Sequence, residues 1–219
     1  MVPTAPGYAR ALLSMPPLAS PPTRPIRSQR TPRCRGCWLP TALCLCADLP
    51  RLAVRARVVL VTHRREVVTS TNTGRLAARV LEGASVRVRG VRDAAPPEPL
   101  PEGRRLALFP APGARVLSLA DADGERVVLL VPDGTWSQAR RLLRRDDDLR
   151  DIEAVALPPA PPTRYGLRRT TREGALCTIE AIAAALGVLE GDEIEARLLE
   201  IRDRFVERAL RARGGQFER

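Results

Sequence analysis

Apolar residues fall along this chain in two rhythms. Short runs of Val, Leu and Ala alternate with stretches whose apolar positions recur every three to four residues. Arg57-Val-Val-Leu-Val-Thr62 is the first run and predicts a buried strand. Leu76, Ala77, Val80 and Leu81 share one helical face, and Gly83 follows as a stop signal. Val86 and Val88 alternate with Arg87 and Arg89, which predicts a half-buried strand. A Pro-rich loop from Ala94 to Glu102 leads to Leu106–Phe109, a short strand ending at Pro110. Val127–Val131 is the clearest central strand and ends at Pro132. A helix over Trp136–Arg145, a strand over Ile152–Leu157 and helices over Thr178–Leu189 and Asp192–Arg213 complete the series. No internal repeat is visible. Strands alternating with helices predict an α/β fold: a mostly parallel sheet flanked by helices.

Composition sharpens this outline. The chain has 219 residues, 44% hydrophobic but only 3% aromatic, so its core must be built from Leu, Val, Ala and Ile. Its net charge is +11, and all 36 basic residues are Arg. Without Lys, a Schiff-base lysine and a phosphate-binding P-loop lysine are excluded. A single histidine, His63, excludes any two-His metal motif. A positive excess of this kind points to a polyanion, nucleic acid above all, against the plainer reading of a solvated basic surface. No apolar run approaches the roughly 18–20 residues needed to span a bilayer, so no membrane partner is expected. Residues 1–30 carry seven prolines within the first 25 positions and no continuous apolar segment. They read as a disordered lead rather than a signal peptide, which makes the cytoplasm the expected compartment. The expected division is that lead, a cysteine segment over 31–50, an α/β domain over 51–213 and a flexible tail over 214–219.

Clustered cysteines in a reducing compartment point to metal before disulfides. Cys34-x-x-Cys37 and Cys44-x-Cys46 place four thiols within thirteen residues. That spacing suits one tetrahedral zinc ion, and four sulfurs close its shell, which makes it structural rather than catalytic. Redox or simply buried thiols are the alternative. Arg33 and Arg35 stand beside the pair and are expected to favour thiolates. Cys177, in an apolar context, reads as a small packed residue.

Ligands of open parallel sheets gather at the carboxyl ends of strands. Two loops stand there, Phe109-Pro110-Ala111-Pro112-Gly113 and Pro132-Asp133-Gly134-Thr135-Trp136, and neither is a GxGxxG or Walker sequence. Asp133 is open to two readings, an N-cap for the next helix or a general base at a strand end. Trp136 is either a core anchor or a stacking surface. Along the helix, Trp136, Ala139, Leu142 and Leu143 face inwards, while Arg140, Arg141, Arg144 and Arg145 cluster opposite. Those four are either a solvated face or a bidentate phosphate grip, and Asp146, Asp147 and Asp148 are placed to neutralise part of it.

Asp133-Gly134-Thr135-Trp136 resembles the signature of the DTW-domain family, which is similar to tRNA-uridine aminocarboxypropyltransferases. The four cysteines resemble that family's N-terminal cluster. His63-Arg-Arg-Glu66 followed by Thr71-Asn72-Thr73-Gly74 resembles its His-Pro-x-Glu and Asn-Thr-Gly stretch. Phe109-Pro110, Tyr165-Gly-Leu167-Arg168 and Thr178-Ile-Glu180-Ala181 resemble its later motifs in order, so the likeness runs from Arg33 to Arg213. Arg64 stands where the family has Pro, and Thr178 where Ser is common.

The resemblance implies a SPOUT-like domain with a C-terminal trefoil knot whose loops hold S-adenosylmethionine. The implied reaction moves the aminocarboxypropyl arm of that donor to uridine N3 of a tRNA and releases methylthioadenosine. Asp133, Thr135 and Trp136 are then the expected catalytic group. Leu108, Phe109, Pro110, Pro132, Gly134, Tyr165, Leu167, Arg168, Thr178 and Glu180 are the expected cofactor wall. His63, Glu66 and the arginines at 140, 141, 144 and 145 are the expected RNA contacts, with Arg168 open between cofactor carboxylate and phosphate. Asn72, Thr73 and Gly74 are readable as a helix cap alone. A SPOUT methyltransferase or a zinc-containing RNA-binding module are the competing classes. Monomer and dimer are both compatible with the sequence.

Overall fold

The structure, a computed structural model, describes residues 31–91, 96–159, 161–168 and 174–214. The Pro-rich lead, the start of the Ala94–Glu102 loop and nearly all of the proposed tail lie outside them.

Six strands form one sheet: β1 (Arg57–His63), β2 (Ser85–Arg89), β3 (Arg104–Leu108), β4 (Arg115–Val116), β5 (Val127–Asp133) and β6 (Ala154–Ala156). Their spatial order is β2-β1-β5-β3-β6-β4, and every pairing is parallel. All carboxyl ends therefore share one edge of the sheet. Five helices accompany them: α1 (Arg64–Val67), α2 (Gly74–Val80), α3 (Trp136–Arg145), α4 (Thr178–Glu190) and α5 (Asp192–Arg211).

Central parallel strands are apolar throughout because both their faces are covered. One face, with Leu60, Leu129 and Val131, packs on α2, α4 and α5 in the larger core. The other, with Val59, Val61, Val128 and Leu130, packs on Leu142 of α3 and on Leu149. Pro132 lies inside β5 rather than ending it. Pairing with β3 stops at Leu130, so beyond it β5 has β1 alone as neighbour, and a proline is tolerated where a strand is edge-like.

The half-buried strand differs from its expected pattern. On β2 the buried residue is Arg87, not Val86 or Val88. Its guanidinium reaches Asp148 at 2.8 Å, and Arg89 joins Asp146 and Asp148. Asp146 and Asp148 therefore neutralise β2 and Asp147 pairs with Arg150, so the run does not neutralise the arginines of α3 itself. Helix α1 and strand β4 are too short to carry a period and had no signal of their own.

The cysteine segment is not a separate body. Cys37, Leu39 and Leu45 are buried in the larger core. Asp48 pairs with Arg208 of α5 at 2.8 Å, and Arg75 of α2 lies over the Trp38 ring at 5.5 Å.

Candidate active site

The strand register builds the site. Thr62 and Asp133 are paired neighbours at the ends of β1 and β5. Asp133 is 2% exposed, and three side chains donate to its carboxylate. Thr62 Oγ1 donates at 3.1 Å and Asn72 Nδ2 at 2.7 Å, both to Oδ2. Thr178 Oγ1 donates at 2.7 Å to Oδ1. Burial pushes this carboxyl above the usual range, and the charge of Glu66 adds to the push. The three hydrogen bonds oppose it by favouring the ionised form. Asp133 is not the N-cap of α3. Thr135 takes that place, in a capping box with Gln138.

Asn72 also accepts from the N–H of Arg75, so it caps α2 while it holds Asp133. Thr73 Oγ1 accepts from the N–H of Ile179 in α4. Gly74 is required by space: a Cβ there would lie 2.5 Å from Leu60 Cδ2 and 3.1 Å from the Asp133 carboxyl. The Thr71–Gly74 stretch is thus packed against the signature turn. The sequence marks Asn72 only as a motif and cap residue, and nothing in it singles out Thr62 as a partner of Asp133.

Around this centre, the ring of buried Phe109 meets Trp136 at 5.4 Å between centroids, tilted by 58°. Trp136 is anchored there yet half-exposed, and Thr135 is exposed beside it. Leu108 is buried, Pro110 is exposed, and Pro132 and Gly134 are half-buried. Tyr165 and Leu167 are buried, and the Tyr165 hydroxyl donates to the Thr71 carbonyl. Arg168 reaches Glu66 at 2.7 Å and Thr71 Oγ1 at 2.8 Å. Arg168 and the buried Glu66, assigned to different ligands by sequence, form one ion pair.

Glu180 is turned into the protein. It accepts from Thr163, from the N–H groups of Arg164 and Cys177, and from buried Arg202 at 2.8 Å. Burial works against its charge, but these donors outweigh it and hold the carboxyl below its usual range. The start of α4 is similarly occupied. The Cys177 N–H goes to Glu180 and that of Ile179 to Thr73, while the Cys177 thiol is pushed up to about 12 by burial.

His63 is the N-cap of α1, its Nδ1 accepting from the Arg65 N–H at 3.3 Å with Gln138 Nε2 at 3.4 Å. Burial, then Arg65 and Arg64, hold its imidazole below the ordinary 6.5. Arg140, Arg141, Arg144 and Arg145 are all exposed. They divide: Arg141 and Arg145 line a groove with His63, and Arg140 and Arg144 do not.

The sulfurs of Cys34, Cys37, Cys44 and Cys46 all lie within 4.8 Å of one another. Two of the separations are 3.6 Å and 3.8 Å. A tetrahedron with spokes of about 2.3 Å has edges of about 3.8 Å, the dimension of a Zn–S₄ centre. Backbone N–H groups of Gly36 and Cys46 point at Cys34 and Cys44. Burial opposes the Cys34 thiolate, yet the N–H groups of Cys37 and Gly36 bring it down to about 6. Burial raises Cys44 and Cys46, and neighbouring thiols raise them further. Four sulfurs this close together disfavour several thiolates at once, a repulsion that a divalent cation relieves. The charge of Arg79 of α2 favours the Cys46 thiolate, whereas Arg33 donates to the Trp38 carbonyl.

Two outcomes follow from this geometry. Purified protein should carry one zinc per chain by elemental mass spectrometry, and Cys46→Ser should lose it with a lower melting temperature. Metal-free protein of unchanged melting temperature would contradict the assignment. Gly74→Ala should cost about 1–3 kcal/mol in urea unfolding, because Leu60 and Asp133 must both move. A neutral result would mean the loop is not packed against Asp133.

Comparison with known proteins agrees with these motifs. The DTW domain model matches residues 31–210. The tRNA-uridine aminocarboxypropyltransferase 2 of Drosophila melanogaster is 29% identical over 170 residues, covering 74% of this chain and 68% of that protein. Its namesake in Macaca fascicularis is 28% identical over 173 residues, covering 74% of this chain and 58% of its own length. The chain thus spans little more than half the length of the macaque relative. A solved SAM-dependent rRNA:acp-transferase from Vulcanisaeta distributa is 20% identical with a TM-score of 0.47, covering 74% of this chain and 85% of that one. With its signature turn, its cysteine cluster and most of its length matched, the chain belongs to the DTW-domain family.

Proposed function

We propose that this protein is a tRNA-uridine aminocarboxypropyltransferase with S-adenosylmethionine as donor. The observation that carries the reading is convergence. The His63–Gly74, Phe109-Pro110 and Asp133–Trp136 stretches, Tyr165 and Thr178 meet at one edge of the sheet, in a chain whose relatives bear that name. A SPOUT-like knotted domain is part of the proposal.

The reaction breaks the bond from sulfur to the arm's terminal methylene and forms a bond from that methylene to uridine N3. The sulfonium leaves as a neutral thioether, so the protein need not activate the leaving group. It must align the two reactants and dispose of the N3 proton. Asp133 is the base in this reading, and its raised pKa makes it a stronger one. Its oxygens face the protein, so the proton reaches it through the half-exposed Thr178 hydroxyl, which already donates to Oδ1. Thr178 accepts from N3 while passing its own proton inwards. The family's usual Ser would serve equally.

Trp136, half-exposed and set against Phe109, is the ring that stacks on uracil or adenine in this reading. Thr135 shapes the turn, its hydroxyl accepting from the Gln138 N–H. The Leu108–Pro110 segment, Pro132, Gly134 and the Tyr165–Arg168 segment enclose the donor. Glu66 fixes Arg168, so the guanidinium meets an incoming carboxylate without first searching for a position. A zinc ion on Cys34, Cys37, Cys44 and Cys46 would hold the N-terminal segment against α2 and α5 and would have a structural role only.

The test is methylthioadenosine release from S-adenosylmethionine in the presence of unmodified tRNA. Wild-type protein should release it. Asp133→Asn and Thr178→Val should each lose about 10²-fold or more in rate, while Thr178→Ser stays near wild type and all three keep cooperative melting. Full activity in Asp133→Asn would remove the base, and full activity in Thr178→Val the relay. Release of S-adenosylhomocysteine would make the protein a methyltransferase, and RNA binding with no turnover a binding module.

A further inference from the structure

Beside the Asp133 cluster, an open groove of about 500 Å³ lies where the ends of β1 and β2 meet α3. Five arginines line it: Arg64, Arg65, Arg89, Arg141 and Arg145. Its one carboxylate, Asp146, is committed to Arg89 together with Asp148. Arg64, Arg65, Arg141 and Arg145 are exposed, and among the described residues their side chains make no hydrogen bond or ion pair.

What sets the groove apart is concentration. Exposed Arg35, Arg105 and Arg126 also lack a carboxylate among the described residues, but they do not line this groove, while Arg104 and Arg115 meet Asp121. Four unopposed guanidinium groups around one concavity repel one another, and an anionic ligand relieves the repulsion. Their planar forks match phosphate oxygens bidentately. Leu142 is the only aliphatic side chain in the lining, so the groove is cationic and polar rather than apolar. An open groove with four free cations suits several linked phosphates better than one.

The groove also adjoins the signature turn. His63, in its lining, follows Thr62, which donates to Asp133. Gln138, also in the lining, accepts from the Thr135 N–H at 2.7 Å. A strand whose backbone lay here would present its next nucleotides to Asp133, Thr135 and Trp136.

We propose that this groove binds the phosphodiester backbone of the RNA substrate through Arg64, Arg65, Arg141 and Arg145. The identity of the polyanion as RNA rests on the function proposed above. Arg140 and Arg144 lie outside the groove and are not part of it.

The experiment is equilibrium binding of unmodified tRNA to the full chain across a salt series. Arg141→Ala/Arg145→Ala should weaken binding at least tenfold near 0.1 M salt. It should also flatten the log–log salt slope by about 0.7–0.9 for each phosphate that is no longer neutralised. The control, Arg197→Ala/Arg211→Ala on α5, removes the same charge from the opposite layer and should leave affinity within about twofold. His63 gives a second readout, because it is the chain's one imidazole. It is faced by Arg64, Arg65 and Glu66 of α1, Arg141 of α3, and Arg89 of β2, whose guanidinium is held by Asp146. Its NMR titration should start below 6.5 in the free protein and move up when RNA phosphates occupy the groove. Equal loss in both double variants, or no loss in the first, overturns the proposal. So does a His63 titration unmoved by RNA. Binding is read without turnover, so a failure to transfer the arm leaves this test intact. Normal tRNA binding by an active Arg141/Arg145 variant would remove the groove and leave the function.

Discussion

A carboxylate sealed inside a protein must be satisfied by hydrogen bonds or its burial is strongly unfavourable. Asp133 is satisfied by donors from three different places: the end of β1, the loop before α2 and the start of α4. Each donor is fixed by something else. Thr62 is set by strand register, Asn72 by its cap on α2, and Thr178 by the first turn of a helix whose next N–H is held by Thr73. One buried charge thus specifies how four chain segments, distant in sequence, come together. Fold and site are the same interaction seen from two sides.

Charge elsewhere is sorted by this arrangement. Carboxylates after α3 are taken up by β2, and Glu66 is taken up by Arg168. Four arginines without a carboxylate partner among the described residues stand together beside the signature turn. A bulk excess of +11 therefore becomes a directed field at the edge of the sheet where the strands end. The cysteine segment braces the same edge from behind, because Arg75 lies over Trp38 and also donates to the Glu66 and Thr69 carbonyls.

Much of the fold was legible because buried parallel strands and amphipathic helices carry strong periods. β1, β5, α3, α4 and α5 follow from apolar spacing within a residue or two at most of their ends. β2 was misread at Arg87 because alternation cannot reveal a buried ion pair with Asp148, whose partner lies 61 residues away. The cysteine geometry was legible from spacing alone. The roles of Thr62, Asn72 and Gly74 were not, since each depends on which strand lies next to which. Glu180 and Glu66 carried a motif signal without their partners, Arg202 and Arg168, and an acidic residue without its partner reads equally as ligand or as clamp.

The central claim is that this site moves the aminocarboxypropyl arm and leaves the methyl group behind. A donor labelled separately in the carboxyl carbon and in the methyl group, incubated with the protein and unmodified tRNA, tests it most directly. The carboxyl label should enter tRNA while the methyl label stays in the small-molecule product. Methyl label in the tRNA, with the carboxyl label left behind, would contradict it.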